Sequence, residues 1–419
     1  MTVGLESSAG AGLHLHGGQR LLSAMAIAPL HADLMARLAS PSSVRRFAIP
    51  IRMDNGRLRV FIGWRVIYSA CFGPTKGGVR FASTVTEQDL CTLAFRILMK
   101  CAVNGLPHGG ASGGVAVDPG ELSSREKESL ARGYVASLGR SIGPDSDILS
   151  PDLGTDATVM GWMADEYNKH QGLSIPAAIN GKHPALGGIV GRPTATARGA
   201  WIVLAAVLRQ RGLATAGMTF AVQGYGNAGG SLACLLQQNG LRLVAASDSS
   251  GGFYAPQGLD AEALLQAKRS GRPFGDLSFP NATTIPRETV LGLPADIVIP
   301  AATAQQIDAT CAARMQCRMI LELANAPITA DAEALLIDKG VDIIPDIVAN
   351  AGGITMSHFE WAQNRGGVKW SAAKAEARLD ERMKTTVAAL LDVARDRNVS
   401  LSIASQLLAL EHLQAALAG

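Results

Sequence analysis

Gly224-Tyr-Gly-Asn-Ala-Gly229 is a pattern that can receive a phosphate group. Glycines let the backbone turn tightly and approach a pyrophosphate, and a helix N-terminus behind them offers free N–H groups and a partial positive charge. A lone Gly-x-Gly-x-x-Gly carries little weight. Here the strand-like run 218–223 leads into it, and 231–238 has helical character after it. A second strand-like run, 241–246, leads to Asp248, 24 residues beyond Gly224, about where a ribose-binding acid stands in a dinucleotide fold. The competing reading is a tight strand–helix turn with an ordinary solvated Asp. Further strand-like runs at 295–300, 319–323 and 341–345 favour the dinucleotide reading, because each ends in polar or small residues.

Alternating elements must position these residues. Residues 22–39 are apolar at helical spacing and stop before Ser40-Pro-Ser-Ser43. Residues 45–51 and 57–69 alternate apolar and polar around Asn55-Gly56, which predicts a β-hairpin. Helices are expected over 86–104, 123–140 and 156–170, the first carrying Lys100 near its end. The Gly/Pro-rich passage 180–193 reads as a crossing between domains, and a long apolar helix follows over 194–213.

Composition sets the frame. A chain of 419 residues is expected to form two domains, and 47% apolar with 17% charged residues suffices for sizeable cores. A net charge of +3 is too small to suggest a nucleic acid or a membrane surface as partner, and no apolar run has the length of a membrane helix. The six cysteines (Cys71, Cys91, Cys101, Cys234, Cys311 and Cys317) form no Cys-x-x-Cys pair, so neither a disulfide framework nor a zinc site is expected. The first 20 residues read as a loose cytoplasmic tail rather than a signal peptide. His14 and His16 there could hold a metal, but a solvated tail is the simpler reading, and no metal is expected.

Two glycine-rich stretches, Gly73-Pro-Thr-Lys-Gly-Gly-Val-Arg-Phe81 and Lys100-Cys-Ala-Val-Asn-Gly-Leu-Pro-His-Gly-Gly-Ala-Ser-Gly-Gly-Val115, carry a family resemblance. They resemble the substrate site of the glutamate/leucine/phenylalanine/valine dehydrogenases. Further matching pieces follow in order over roughly residues 40–365: Ser150–Gly154, Gly187–Arg192, Ala195–Gly199, Val222–Asn227, Ser247–Tyr254, Ile299–Ala302, Ala324–Pro327 and Asn350–Trp361. The resemblance implies an α/β fold of two domains. Residues 21–184 would form a mixed-sheet substrate-binding and oligomerisation domain, and 185–350 a Rossmann-like NAD(P)-binding domain. Residues 351–419 would return to the first domain as helices, with the active site in the cleft. It also implies NAD or NADP as cofactor, a small amino acid or oxo acid as ligand, and assembly as a homohexamer.

Site residues carry over one at a time. Lys100 matches the lysine that holds the substrate α-carboxylate. Lys76 matches the lysine that pairs with the side-chain carboxylate in the glutamate branch, and Ser357 the serine that also contacts that carboxylate. A buried carboxylate needs such partners. Without its motif, Lys76 would read as a surface lysine. Asp152 matches the family's acid/base carboxylate, and its competing reading is a helix N-cap. Thr196, Asn227, Asn325 and Asn350 match cofactor-contacting positions, beside Gly224, Gly226, Gly229 and Asp248.

One position departs at the centre. The family loop normally reads Gly-Gly-Ala-Lys-Gly-Gly, and its lysine activates water and polarises the carbonyl oxygen; here that position is Ser112. Serine neither takes a proton at neutral pH nor carries charge. Loss of a general acid/base costs roughly 10²- to 10⁴-fold, or about 3–5.5 kcal/mol. Tyr68 and Phe72 stand where relatives often have His and Arg, and Ala197 and Leu323 replace usual glycines, which should crowd the nicotinamide side. Two functions compete. One is an oxidoreductase acting on the CH–NH₂ group of a glutamate-like amino acid, or reducing its imine, with atypical or reduced activity. The other is a non-catalytic, ligand-sensing subunit partnering an active paralogue.

Overall fold

A computed structural model describes residues 8–279 and 281–418. The chain starts on two helices rather than the single one expected over 22–39: α1 (Ser8–Ile27), broken at Gly18 where φ is 69°, and α2 (Ala32–Leu38). Pro29 separates them, since it lacks an N–H and drives the residue before it out of the helical region. The expected loose tail is therefore helical from Ser8 onward. The side chains of His14 and His16 lie outside the described residues.

The alternating stretch becomes a hairpin of β1 (Ser43–Arg52) and β2 (Leu58–Ser69), paired from Ser43↔Ile67 to Arg52↔Leu58. β3 (Thr75–Ala82), α3 (Glu87–Val103), β4 (Gly109–Ala116), α4 (Ser124–Leu138), β5 (Asp147–Pro151) and α5 (Ala157–Gln171) follow. The five strands form a mixed sheet in the order β1-β2-β4-β3-β5. Ile49, Phe61, Val79, Phe81 and Val115 bury one face against Leu130, Tyr134 and Met160 of α4 and α5. Arg65 passes beneath the central strands to Asp147, with Nη2 and Nε 2.6 and 2.7 Å from its two carboxylate oxygens. Both side chains are buried, so removing one partner would cost about 3–5 kcal/mol.

The long helix α6 (Arg192–Gln210) precedes a second sheet. Its elements are β6 (Thr219–Gln223), α7 (Asn227–Gln238), β7 (Arg242–Ser247), β8 (Gly252–Tyr254), α8 (Ala261–Arg269), β9 (Thr283–Ile285), β10 (Ile297–Pro300), α9 (Ala309–Arg314), β11 (Met319–Leu321), α10 (Ala330–Asp338), β12 (Asp342–Ile344) and α11 (Asp346–Ala349). The order β12-β11-β10-β6-β7-β8-β9 is a doubly wound sheet whose switch point lies between β6 and β10. β8 and β9 run antiparallel at one edge and have no counterpart in the strand-like runs anticipated from the sequence.

Three helices end the chain: α12 (Gly352–Arg365), α13 (Ala372–Arg397) and α14 (Leu401–Ala418). The chain divides into two compact units. Among the described residues, 8–192, 354–375 and 409–418 form the first, and 193–353 and 376–408 the second. The expected return of all of 351–419 to the first domain is thus corrected for 376–408. Leu379, Met383, Val387 and Leu390 are a buried stripe at helical spacing, and Arg198 of α6 pairs with Asp380 at 2.6 Å.

Candidate functional site

The first unit assembles the residues expected to bind substrate. Lys76 lies opposite Gly110 in the parallel β3–β4 ladder, so Lys76, Gly78 and Arg80 share a face of the sheet with Gly110 and Ser112. A Cβ on Gly110 would fall 2.3 Å from Ala94 O and 2.7 Å from Leu98 Cβ, so only glycine lets α3 settle onto that face. Lys100, nearly buried, stands in the last turn of α3. A Cβ on Gly78 would come 2.6 Å from Asp152 Cβ, which brings Asp152 over the same face.

Asp152 follows β5, and its oxygens lie 3.1 and 3.3 Å from Arg80 Nη2. The N-cap of α5 is Asp156, so the capping alternative for Asp152 does not apply. Ser112 is 1% exposed, and its Oγ has no hydrogen-bond partner among the described residues.

Lys76 is fully buried and its Nζ donates to Ser357 Oγ on α12. Asn180 Nδ2 donates to Ser357 O at 2.7 Å. Nearby, Glu360 accepts from Gly181 N at 2.8 and 2.9 Å and from Lys182 Nζ at 3.0 Å, and faces Arg192 Nη1 at 3.6 Å. One carboxylate thus stands among three cations. Burial, then the charge of Arg192, lowers the pKa of Lys76 to about 7. Burial also pulls Lys182 and Arg192 down, with Glu360 opposing. A site with this surplus of buried positive charge favours an anion.

Sequence reasoning passed over Asn180, Lys182, Arg192 and Glu360. The available signal was the presence of two cations, Lys182 and Arg192, in a Gly/Pro-rich passage, the first in a loop and the second at the start of α6. Tyr68 is buried, with its hydroxyl donating to Leu38 O at 2.8 Å.

The second unit carries the residues expected to hold the dinucleotide. Gly224 leaves β6 at φ 95°, and a Cβ there would meet Ala302 N at 2.6 Å; one on Gly229 would meet Gly224 O at 2.2 Å. A Cβ on Gly226 would meet nothing within 4 Å. α7 begins at Asn227, earlier than expected, and its N-cap is Gly226 with no side-chain hydrogen bond. Its first N–H groups thus have no side-chain cap and stand beside a tight glycine turn, which fits a pyrophosphate. Asn350 Nδ2 donates to Leu323 O at 3.1 Å and to Asn325 Oδ1 at 3.2 Å, so these two asparagines stand together. Thr196 Oγ1 lies 2.9 Å from where a Cβ on Gly353 would be. Ala197 and Leu323 are both buried.

Asp248 is held on several sides. Its carboxylate accepts from Ser250 N and Oγ at 2.8 and 2.6 Å, Gly251 N at 3.3 Å, Lys268 Nζ at 2.5 Å and Phe274 N at 3.1 Å. Burial would raise its pKa, but Lys268 and these donors hold it at about 2. A carboxylate has about four lone-pair sites. Those of Asp248 are engaged by Ser250 and Gly251 of its own loop and by Lys268 and Phe274 from beyond it. Ser249, Ser250 and Arg287 are the exposed groups there, Arg287 Nη1 donating to Ser249 O at 3.0 Å.

A glycine-lined phosphate cradle at the switch point of a doubly wound sheet, with a separate mixed-sheet unit bearing buried lysines, defines a two-domain dinucleotide-dependent class. The relatives narrow it. A model of the glutamate/leucine/phenylalanine/valine dehydrogenases matches residues 187–418, and one of the dimerisation domain of the same family matches 41–169. An NADP-specific glutamate dehydrogenase of Synechocystis is 39% identical over 97% of this chain and 96% of its own. A cryptic catabolic NAD-specific glutamate dehydrogenase of Bacillus subtilis is 37% identical over 88% of this chain and 86% of its own. Among solved structures, the leucine-bound hetero-hexameric glutamate dehydrogenase of Thermus thermophilus superimposes with a TM-score of 0.91 at 38% identity, covering 96% of this chain and 95% of that one. The chain belongs to the glutamate/leucine/phenylalanine/valine dehydrogenase family, and its relatives lie in the glutamate dehydrogenase branch.

Proposed function

We propose that this protein is a glutamate dehydrogenase-like oxidoreductase that binds glutamate or 2-oxoglutarate with NAD(P), and that Ser112 makes its turnover slow or redirects it. The observation that carries this reading is Lys76 joined to Ser357 in a buried group of cations that outnumbers its one carboxylate. A dicarboxylate supplies the missing negative charge. Lys76 and Ser357 hold its distal carboxylate, Lys100 its α-carboxylate, and Asp152 moves the proton at the amine or imine nitrogen. The nicotinamide, when bound, supplies hydride transfer. The saturated Asp248, with Ser249, Ser250 and Arg287 exposed beside it, favours NADP over NAD. Assembly is as a hexamer, and the setting is cytoplasmic.

The deciding test is calorimetric titration with both cofactors, followed by 2-oxoglutarate, glutamate and leucine. Dicarboxylates should bind better than leucine, and Lys76→Leu should reverse that order. An unchanged order in the variant would refute the pocket assignment.

A second reading has its own observation. Ser112 Oγ is buried and has no hydrogen-bond partner among the described residues, and no titratable side chain replaces the family lysine at that point of β4. A chain so altered could bind ligand and pass the signal to an active paralogue in a mixed hexamer. The Thermus relative is itself hetero-hexameric. Co-purification with such a paralogue, together with absent turnover alone, would favour this reading.

A further inference from the structure

Two histidines without a part in the chemistry above stand among the substrate segments. His108, fully buried, immediately precedes β4; His358 follows Ser357 on α12. His108 Nδ1 lies 3.3 Å from Pro74 O, and its Nε2 lies 3.0 Å from His358 Nδ1. A carbonyl can only accept, so Nδ1 of His108 carries the hydrogen. In the neutral ring Nε2 is then the acceptor, and His358 Nδ1 is the donor. Burial above all, then the charges of Lys76 and His358, drives the pKa of His108 down to about 2, which keeps that ring neutral. Trp361 packs edge-on against His108 at 5.1 Å and stacks on His358 at 5.8 Å, while its Nε1 donates to Pro144 O at 2.9 Å.

The direction of these bonds joins three segments. Pro74 lies two residues before Lys76. His108 lies two residues before Gly110, the partner of Lys76 across the ladder. His358 adjoins Ser357, whose Oγ accepts from Lys76. We propose that the His108–His358 pair is a positioning device that fixes Ser357 against Lys76, so that both close on the distal carboxylate of a dicarboxylate ligand. This rests on reading Lys76 and Ser357 as that carboxylate's partners. Neither histidine touches the ligand.

The test measures dissociation constants for 2-oxoglutarate and NADPH with the full-length protein. His358→Phe keeps a ring on Trp361 but removes the donor and leaves His108 Nε2 unpaired. It should weaken 2-oxoglutarate about five- to tenfold, the cost of one buried hydrogen bond, and leave NADPH within about twofold. His358→Asn, whose amide nitrogen takes the place of Nδ1, should recover most of the loss. His108→Gln keeps an acceptor but loses the bond to Pro74; it should weaken 2-oxoglutarate severalfold, and it serves if His358→Phe does not fold. Wild-type 2-oxoglutarate affinity in His358→Phe and His108→Gln, while Lys76→Leu loses it, would overturn the positioning role and leave the carboxylate reading standing. Equal loss of both ligands, unrescued by Asn, would also overturn it. Full 2-oxoglutarate affinity in Lys76→Leu would remove the carboxylate reading and this proposal together.

Discussion

Arg80 Nη2 sits 3.1 and 3.3 Å from the two carboxylate oxygens of Asp152, and Leu153 N holds one of them at 2.7 Å. The guanidinium and the backbone thus aim a carboxylate over the face that carries Lys76 and Ser112. Asp152→Asn keeps the acceptor for Leu153 and removes the proton carrier. Turnover should fall by about 10²- to 10⁴-fold with ligand affinity nearly unchanged. Both side chains are about a quarter exposed, so the melting temperature should scarcely move. A steady-state rate equal to wild type would assign the proton to another group.

Ser112→Lys should raise glutamate dehydrogenase activity by a factor of about 10² or more. The new ammonium would enter buried surroundings on the sheet face that carries the Lys76 charge, which lowers a lysine pKa toward neutrality. If turnover stays at background while cofactor and 2-oxoglutarate still bind, Ala197 and Leu323 become the obstruction and the regulatory reading prevails.

Lys76 gives ligand binding a pH dependence. Its folded pKa is lowered from 10.5 to about 7, so above pH 7 the free pocket holds the amine increasingly neutral. A distal carboxylate binds the charged form, so binding takes up a proton there. Affinity for 2-oxoglutarate should weaken above pH 7, by up to about tenfold per pH unit. The folding contribution has the opposite sense: between about 7 and 10.5 the unfolded chain binds the extra proton, and this lysine's destabilising effect fades as pH rises. Titrations from pH 6 to 9 should show the slope in the wild type and its loss in Lys76→Leu.

The loop around Asp248 makes a prediction about the cofactor. NADPH should bind more tightly than NADH. Arg287→Ala, which removes an exposed cation beside Ser249, should narrow the difference by about five- to tenfold. Replacing Asp248 should damage the loop more than it alters the preference, because its carboxylate serves Lys268, Ser250 and Phe274. Equal affinity for both cofactors in the wild type would refute this.

Assembly should follow from the first unit. β1 is an edge strand, and Val44, Leu58 and Val60 on this hairpin are 38%, 63% and 54% exposed. Such an edge with apolar neighbours invites pairing with a further copy. Light scattering should give a mass near six times 43.6 kDa; a stable monomer at micromolar concentration would contradict the hexamer.

The sequence by itself determined the elements whose signals are local. Alternation around Asn55-Gly56 specified the hairpin, because period two and a short turn with Gly56 at positive φ are properties of neighbouring residues. The glycines of 224–229 announced the tight strand–helix turn for the same reason: Gly224 and Gly229 are needed where their own backbone turns or closes on a neighbour. The end of the first helix, the antiparallel β8–β9 edge and the division of α13–α14 between units escaped, since packing rather than local pattern settles them. The site divides in the same way. Lys76, Ser112 and Asp152 were legible because they stand in motifs. The resemblance had set Lys76 and Ser357 on one carboxylate; only the tertiary structure gave the hydrogen bond between them, 281 residues apart, and set His108 on His358, 250 residues away. It alone also closed Asp248 against Lys268. Whether a carboxylate is free or spent depends on which donors reach it through space, and spacing along the chain does not record that.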